Sequence, residues 1–275
     1  MPITRLNTIR VEKPWGRHTL WPGFDDPAAD AAPVGEIWFD APGSPELLVK
    51  YLFTSDRLSV QVHPDDAAAR AAGYKRGKSE AWLVLAAEPG STIALGPRQP
   101  TTREALRSAA LDGSIVDLLD WRPVAAGDVI YAGAGVVHAI GAGITVIEVQ
   151  QNVDLTYRLY DYGSERELHL DAGLAVSDPM PFVAPAIVGD IGKGRSILCE
   201  GGKFVLERWS FDEERKVALP DGVAGWLVPV TGGGVIDGQA FAAGECWMVE
   251  GTASIGPIGD VLFAYPLGER LALFN

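Results

Sequence analysis

Four side chains able to bind a cation fall on short β-type runs of this chain: Gln61 and His63 in LSVQVH, Glu80 in KSEAWLVL and His138 in VVHAIG. Residues i and i+2 of a strand point to one face, so Gln61 and His63 project together, and Pro64 ends their strand. Two imidazoles, one carboxylate and one amide oxygen suit a borderline divalent ion such as Zn²⁺. That set leaves net positive charge on the ion, which can polarise a carbonyl or stabilise an enediolate. Spacing alone leaves the ordinary reading open as well. A histidine in a strand is commonly structural, and no compact ligand motif of the HExxH kind is present.

The elements that must position these residues read as short strands. GEIWFDAP, LLVKYLF and LSVQV come first, followed by an Ala-rich helix in DDAAARAAGYKR whose acidic start is Asp65 and Asp66. EAWLVLAA and STIALG read as a strand pair. TTREALRSAAL reads as a helix capped by Thr101 or Thr102, with SIVDLLDW as a second helix behind it. GDVIYAGAG, VVHAIG, ITVIEVQQN and TYRLYDYG return to β. The Pro- and Gly-rich stretch 178–196 reads as a linker. The short strands after it, from KFVLERWSF to VLFAYPLG, suggest a second barrel or sandwich. The expected organisation is therefore residues 1–180 as a metal-binding domain and 181–275 as a smaller β-domain without a metal site. Trp209, Trp226 and Trp247 are expected in the core of the latter.

Composition narrows the function. A net charge of −13 over 275 residues disfavours nucleic acid and anionic membrane as partners. It also means that an anionic substrate needs local Lys and Arg to hold it. The two cysteines, Cys199 and Cys246, form no CxxC pair and no disulfide framework. MPITRLNTIRVEKPWG lacks the apolar stretch of a secretory leader, and no apolar run reaches membrane-spanning length, so the cytoplasm is the expected location. Oligomeric state is not legible.

LSVQVHPDD, GKSEAW, GDVIYAGAGVVHAIG and VIEVQQNVDLTYRLYDYG, in this order over residues 11–180, resemble the motifs of type I phosphomannose isomerases of the cupin superfamily in their short bacterial form. The resemblance implies a mainly β fold: a double-stranded β-helix (cupin or jelly roll) with a few short helices and a second, smaller β-domain. It implies one zinc per chain held by Gln61, His63, Glu80 and His138, and interconversion of mannose 6-phosphate and fructose 6-phosphate through an enediol. It implies catalytic or substrate-contacting roles for Lys78, Asp154 and Arg158, and phosphate contacts for Lys50 and Ser59. Three positions depart from the family pattern. Gly77 stands where many members have a histidine, Gly133 replaces the usual proline of the second motif, and Trp15-Gly16 is followed by Arg17 rather than glycine.

Aldose–ketose isomerisation needs a base near C1–C2 and an electrophile for the oxygens. A lysine beside a cation can have its pKa lowered, which makes Lys78 the first candidate for the base; its ordinary reading is a solvated turn lysine in KRGKSE. Asp154 and Arg158, four apart, would share a strand face or form a surface ion pair. Lys50 and Ser59 read otherwise as an exposed strand charge and a strand-end hydroxyl. His18 and His169 are read as structural or exposed, and Arg166 as a loop residue without a role. The competing functions are another cupin enzyme, of the glucose-6-phosphate isomerase or dioxygenase kind, and a non-catalytic sugar-binding cupin. A fused guanylyltransferase would need a longer chain and a Gly-rich nucleotide loop.

Overall fold

The strand Leu47–Phe53 is buried at all seven positions although it contains a lysine, because it lies inside a sheet covered on both faces. The computed structural model describes residues 3–200 and 202–274; Met1, Pro2, Gly201 and Asn275, which the expected domain limits include, lie outside it. Among the described residues are twenty-two strands and four short helices.

Four sheets stack in order. A five-stranded sheet holds, side by side, Tyr157–Tyr160, Val60–Val62, His138–Ile140, Thr92–Pro97 and Leu119–Pro123. A six-stranded sheet faces it, with Val34–Asp40, Leu47–Phe53, Ile144–Gln151 and Glu80–Ala87 at its centre. Trp82, Val84, Ile93, Leu95 and Ile140 fill part of the space between the two. The other face of the six-stranded sheet presents Ile37, Phe39, Val49, Tyr51, Ile147 and Val149 to Phe204, Leu206, Trp226, Val228 and Leu262 of a seven-stranded sheet. The back of that sheet carries Val205, Leu227, Val249, Phe263 and Tyr265 against Val217, Ile236 and Ile255 of a four-stranded one. The period-2 alternation of each central strand thus serves two cores at once.

The expected mainly β double barrel is the observed one, with local differences. The helix Asp66–Ala71 begins with Asp65 accepting from the Ala68 amide at 2.8 Å, and Thr102 caps Arg103–Asp112 by accepting from the Ala105 amide. SIVDLLDW is helical only over Ile115–Leu118; Leu119–Pro123 then pairs with Thr92–Pro97, because its backbone completes a sheet edge that periodicity does not reveal. The segment 178–196 ends in strand Gly189–Gly192 and the start of strand Arg195–Cys199. Helix Leu170–Val176 and strands Ile3–Arg5 and Asn7–Arg17 were not legible. Ile3–Arg5 pairs with Trp247–Glu250 and forms an edge strand of the seven-stranded sheet.

Candidate metal centre and its cavity

Strand register assembles the donors. Gln61 lies opposite His138 on one side and Arg158 on the other, while Glu80 lies opposite Gln150 on the facing sheet. His63 follows directly on Val60–Val62. The His63 Nδ1 faces the Leu155 carbonyl at 3.0 Å and the His138 Nδ1 faces the Val136 carbonyl at 2.9 Å. Carbonyls only accept, so each Nδ1 carries a proton, and in the neutral ring each Nε2 presents a lone pair. Those lone pairs converge on Glu80 Oε1, 3.4 Å from His63 Nε2 and 3.1 Å from His138 Nε2. Glu80 is fully buried and its Oε1 has no hydrogen-bond donor.

Three candidate donor atoms within 4.8 Å of one another, two imidazole nitrogens and one carboxylate oxygen, fit a cation. Burial, with the Lys78 ammonium beside it, pushes the His63 imidazole down to about 3, so it is the neutral form that a metal needs. Burial acts to raise the Glu80 carboxyl, but Lys78 together with the His63 and His138 imidazoles outweighs it and holds that group well below the usual range. Gln61 Nε2 lies 3.2 Å from His138 Nε2. Rotating the amide by half a turn presents Oε1 at the same point, as a metal donor.

Lys78 is buried, not solvated: its Nζ donates to Glu80 Oε2 at 2.5 Å and lies 3.1 Å from His63 Nε2. Burial would lower its pKa, yet Glu80, Glu148 and Glu36 raise it, opposite to the direction expected from sequence. A bound divalent cation would oppose those carboxylates.

A cavity of about 340 Å³ opens beside this cluster and is lined by all six other sequence-named residues: Lys50, Ser59, Gln61, Lys78, Asp154 and Arg158. Lys50 is buried, lying 3.6 Å from Glu36, 3.5 Å from Glu148 and over the Trp38 ring. Asp154 and Arg158 meet the cavity without sharing a strand, since the strand starts only at Tyr157 and Asp154 precedes it in a loop. The Arg158 Nε is buried without a partner, and burial with the nearby Arg166 lowers its pKa. Arg166, read as a loop residue, lines the cavity while pairing bidentately with Asp161. Five cations (Lys13, Lys50, Lys78, Arg158, Arg166) and three carboxylates (Glu36, Glu148, Asp154) line the space, so an acidic chain carries a locally cationic pocket. Sequence reasoning missed Glu36 and Glu148. Their signal was a single charge inside an apolar run, as in VGEIWF and VIEVQ. His18 is exposed, and the His169 Nδ1 accepts from the Arg158 amide at 3.3 Å, so neither reaches the metal donors. A larger cavity, about 430 Å³, lies between Phe182, Pro185, Tyr131 and Cys199 and contains none of the metal donors.

Fold and site together define a mainly β protein of stacked sheets with a candidate metal centre of two histidines and one glutamate. More narrowly, the chain has the phosphomannose isomerase fold and is homologous to curated mannose-6-phosphate isomerases. It is 36% identical over 180 residues to mannose-6-phosphate isomerase of Streptococcus mutans, covering 62% of this chain and 56% of that one. It is 42% identical over 137 residues to mannose-6-phosphate isomerase ManA of Bacillus subtilis, covering 47% and 43%. The matches thus span about half the length of these relatives. The solved structure of mannose 6-phosphate isomerase from Bacillus subtilis superposes with a TM-score of 0.81 at 22% identity, over 96% of this chain and 99% of that one. A putative mannosephosphate isomerase from Archaeoglobus fulgidus gives 0.74 at 19%, over 96% and 97%. No family model matches.

Proposed function

We propose that this chain is a cytoplasmic, zinc-dependent mannose-6-phosphate isomerase. The reading rests on one observation above the others: a single cavity has Lys78 and Gln61 of the candidate metal cluster on its wall together with Lys50, Arg158 and Arg166. Gln61, His63, Glu80 and His138 would hold one Zn²⁺ per chain. When bound, the ion supplies positive charge to the sugar oxygens as negative charge develops on them.

A proton leaves C2 of the open-chain aldose, its electron pair forms the C1–C2 double bond, and O1 gains a proton. The enediol then loses the O2 proton and C1 gains one, giving fructose 6-phosphate with no atom added or lost. Lys78 is the first candidate for moving the carbon-bound proton. Glu148 is the second, on the observation that the surrounding carboxylates favour the ammonium form of Lys78. Arg158 polarises a sugar oxygen or contacts phosphate, with Asp154 beside it, and Lys50 and Ser59 help hold the phosphate. Every one of these residues precedes residue 180, consistent with 1–180 as the isomerase unit and 181–275 as a supporting β-unit. Among the described residues no helix is long and apolar enough to cross a membrane.

The test is an isomerase assay of the purified, metal-analysed protein on mannose 6-phosphate and glucose 6-phosphate in parallel. Zinc-dependent turnover of the first supports the proposal. Turnover of glucose 6-phosphate alone moves the chain to the other isomerase chemistry. Metal binding with no turnover of either leaves a sugar-binding cupin.

A further inference from the structure

The aim of Lys78 depends on the backbone of residues 77–79, and a network outside the cavity holds that backbone. The Gly77 amide donates to Asp66 Oδ1 at 2.9 Å, and the Lys78 amide donates to the Pro64 carbonyl at 3.0 Å. The Ser79 amide donates to Gln151 Oε1 at 3.0 Å, and Gln151 Nε2 returns to Asp66 Oδ1 at 2.9 Å. The second oxygen of Asp66 accepts from Lys203 Nζ at 2.7 Å. Lys203 immediately precedes Phe204–Phe211, a strand of the seven-stranded sheet. One carboxylate therefore ties together three segments: the Lys78 loop, the strand end at Gln151 and the second β-unit. Tyr131, also facing Ser79 and Lys203, lies alongside.

We propose that Asp66 is a positioning residue for Lys78, and that Lys203 of the second β-unit locks it in place. The proposal rests on the reading of Lys78 as a proton carrier. It gives the second β-unit a part in the site that its lack of metal donors would not suggest. The Lys203–Asp66 pair is partly exposed, so as an isolated ion pair it adds little stability. Its effect belongs to geometry: without the ammonium, Asp66 can turn away from Gly77 and Gln151, and Lys78 loses its fixed approach.

The experiment uses the full chain with zinc bound, comparing Lys203→Met, Asp66→Asn, the double variant and Lys203→Arg. Lys203→Met is expected to lower kcat about ten-fold, as loss of a supporting contact typically does. KM and zinc content should stay unchanged, because Lys203 lines neither the cavity nor the donor cluster, and Lys203→Arg should restore turnover. The double variant should be no worse than the poorer single one, because both act through one network. Hydrogen exchange supplies a readout independent of activity: the Gly77 and Ser79 amides should exchange faster in Lys203→Met. Unchanged exchange there, or additive losses in the double variant, overturns the proposal. Faster exchange in Lys203→Met, with a wild-type chain that isomerises neither substrate, would keep the latch and refute the function assigned to the site.

Discussion

Glu80 is the residue on which the site turns. Its carboxylate is removed from water entirely, and an unpaired buried charge is strongly destabilising. Lys78 supplies one compensating charge at Oε2, while Oε1 faces two imidazole lone pairs. That division separates two roles by mutation. His138→Ala removes one of three converging donors, so stoichiometric zinc should be lost; His169→Ala, outside the donor cluster, should retain it, as elemental analysis will show. Retained stoichiometric zinc in His138→Ala would strike that residue from the ligand set. Lys78→Met removes none of the candidate metal donors and takes away the proposed proton carrier. Turnover should fall about a hundred-fold or more, the usual scale of general acid–base catalysis, with zinc content unchanged. Loss of zinc and turnover together would make Lys78 a support for the metal cluster instead.

At the scale of elements, Gly77 explains a departure from the family pattern. A Cβ there would lie 2.4 Å from the Asp65 carbonyl carbon and the Pro64 carbonyl oxygen. The loop can pass the helix start this closely only without a side chain, so a histidine at this position is incompatible with the observed path. Gly77→Ala should displace the loop by about 1 Å and cost on the order of a hundred-fold in kcat, with metal retained; an unaltered kcat would show that the loop relaxes freely. Gly133 differs in kind: an added Cβ there would meet only the Tyr131 ring edge at 3.4 Å, so steric need does not explain its replacement of proline. The candidate metal donors stood out in the sequence because their types are rare and their motifs stand on recognisable strand ends. The rest of the cavity was not, because it is created by register. Lys50 meets Glu148 as its cross-strand partner, and Trp38 meets Lys50, pairings between segments that sequence order does not specify. Helix Leu170–Val176 likewise lies too close to the surrounding loops, and is too short, for periodicity to mark it.

For the whole molecule, the decisive feature is that the six-stranded and seven-stranded sheets share a core. Tyr51, Val149 and Ile147 of one belong to the same cluster as Phe204, Trp226 and Leu262 of the other. Neither unit can expose that face without presenting a large apolar surface to water, so the two should unfold together. Trp226, completely buried at this junction, offers the test. Trp226→Ala should destabilise by about 3–5 kcal/mol, the cost of emptying an aromatic site in a packed core. Its indole Nε1 is buried without an acceptor, which costs about 1–3 kcal/mol in the native chain. Trp226→Phe should therefore lose much less than Trp226→Ala, because it gives up part of the ring's packing and sheds an unsatisfied donor. Denaturant unfolding followed by tryptophan fluorescence and by zinc release should give coincident transitions in the wild type and in both variants, with the midpoint falling most for alanine. If fluorescence moved early while zinc release kept its midpoint, the chain would unfold in more than one step, and the shared core would not couple all of it to the candidate metal centre.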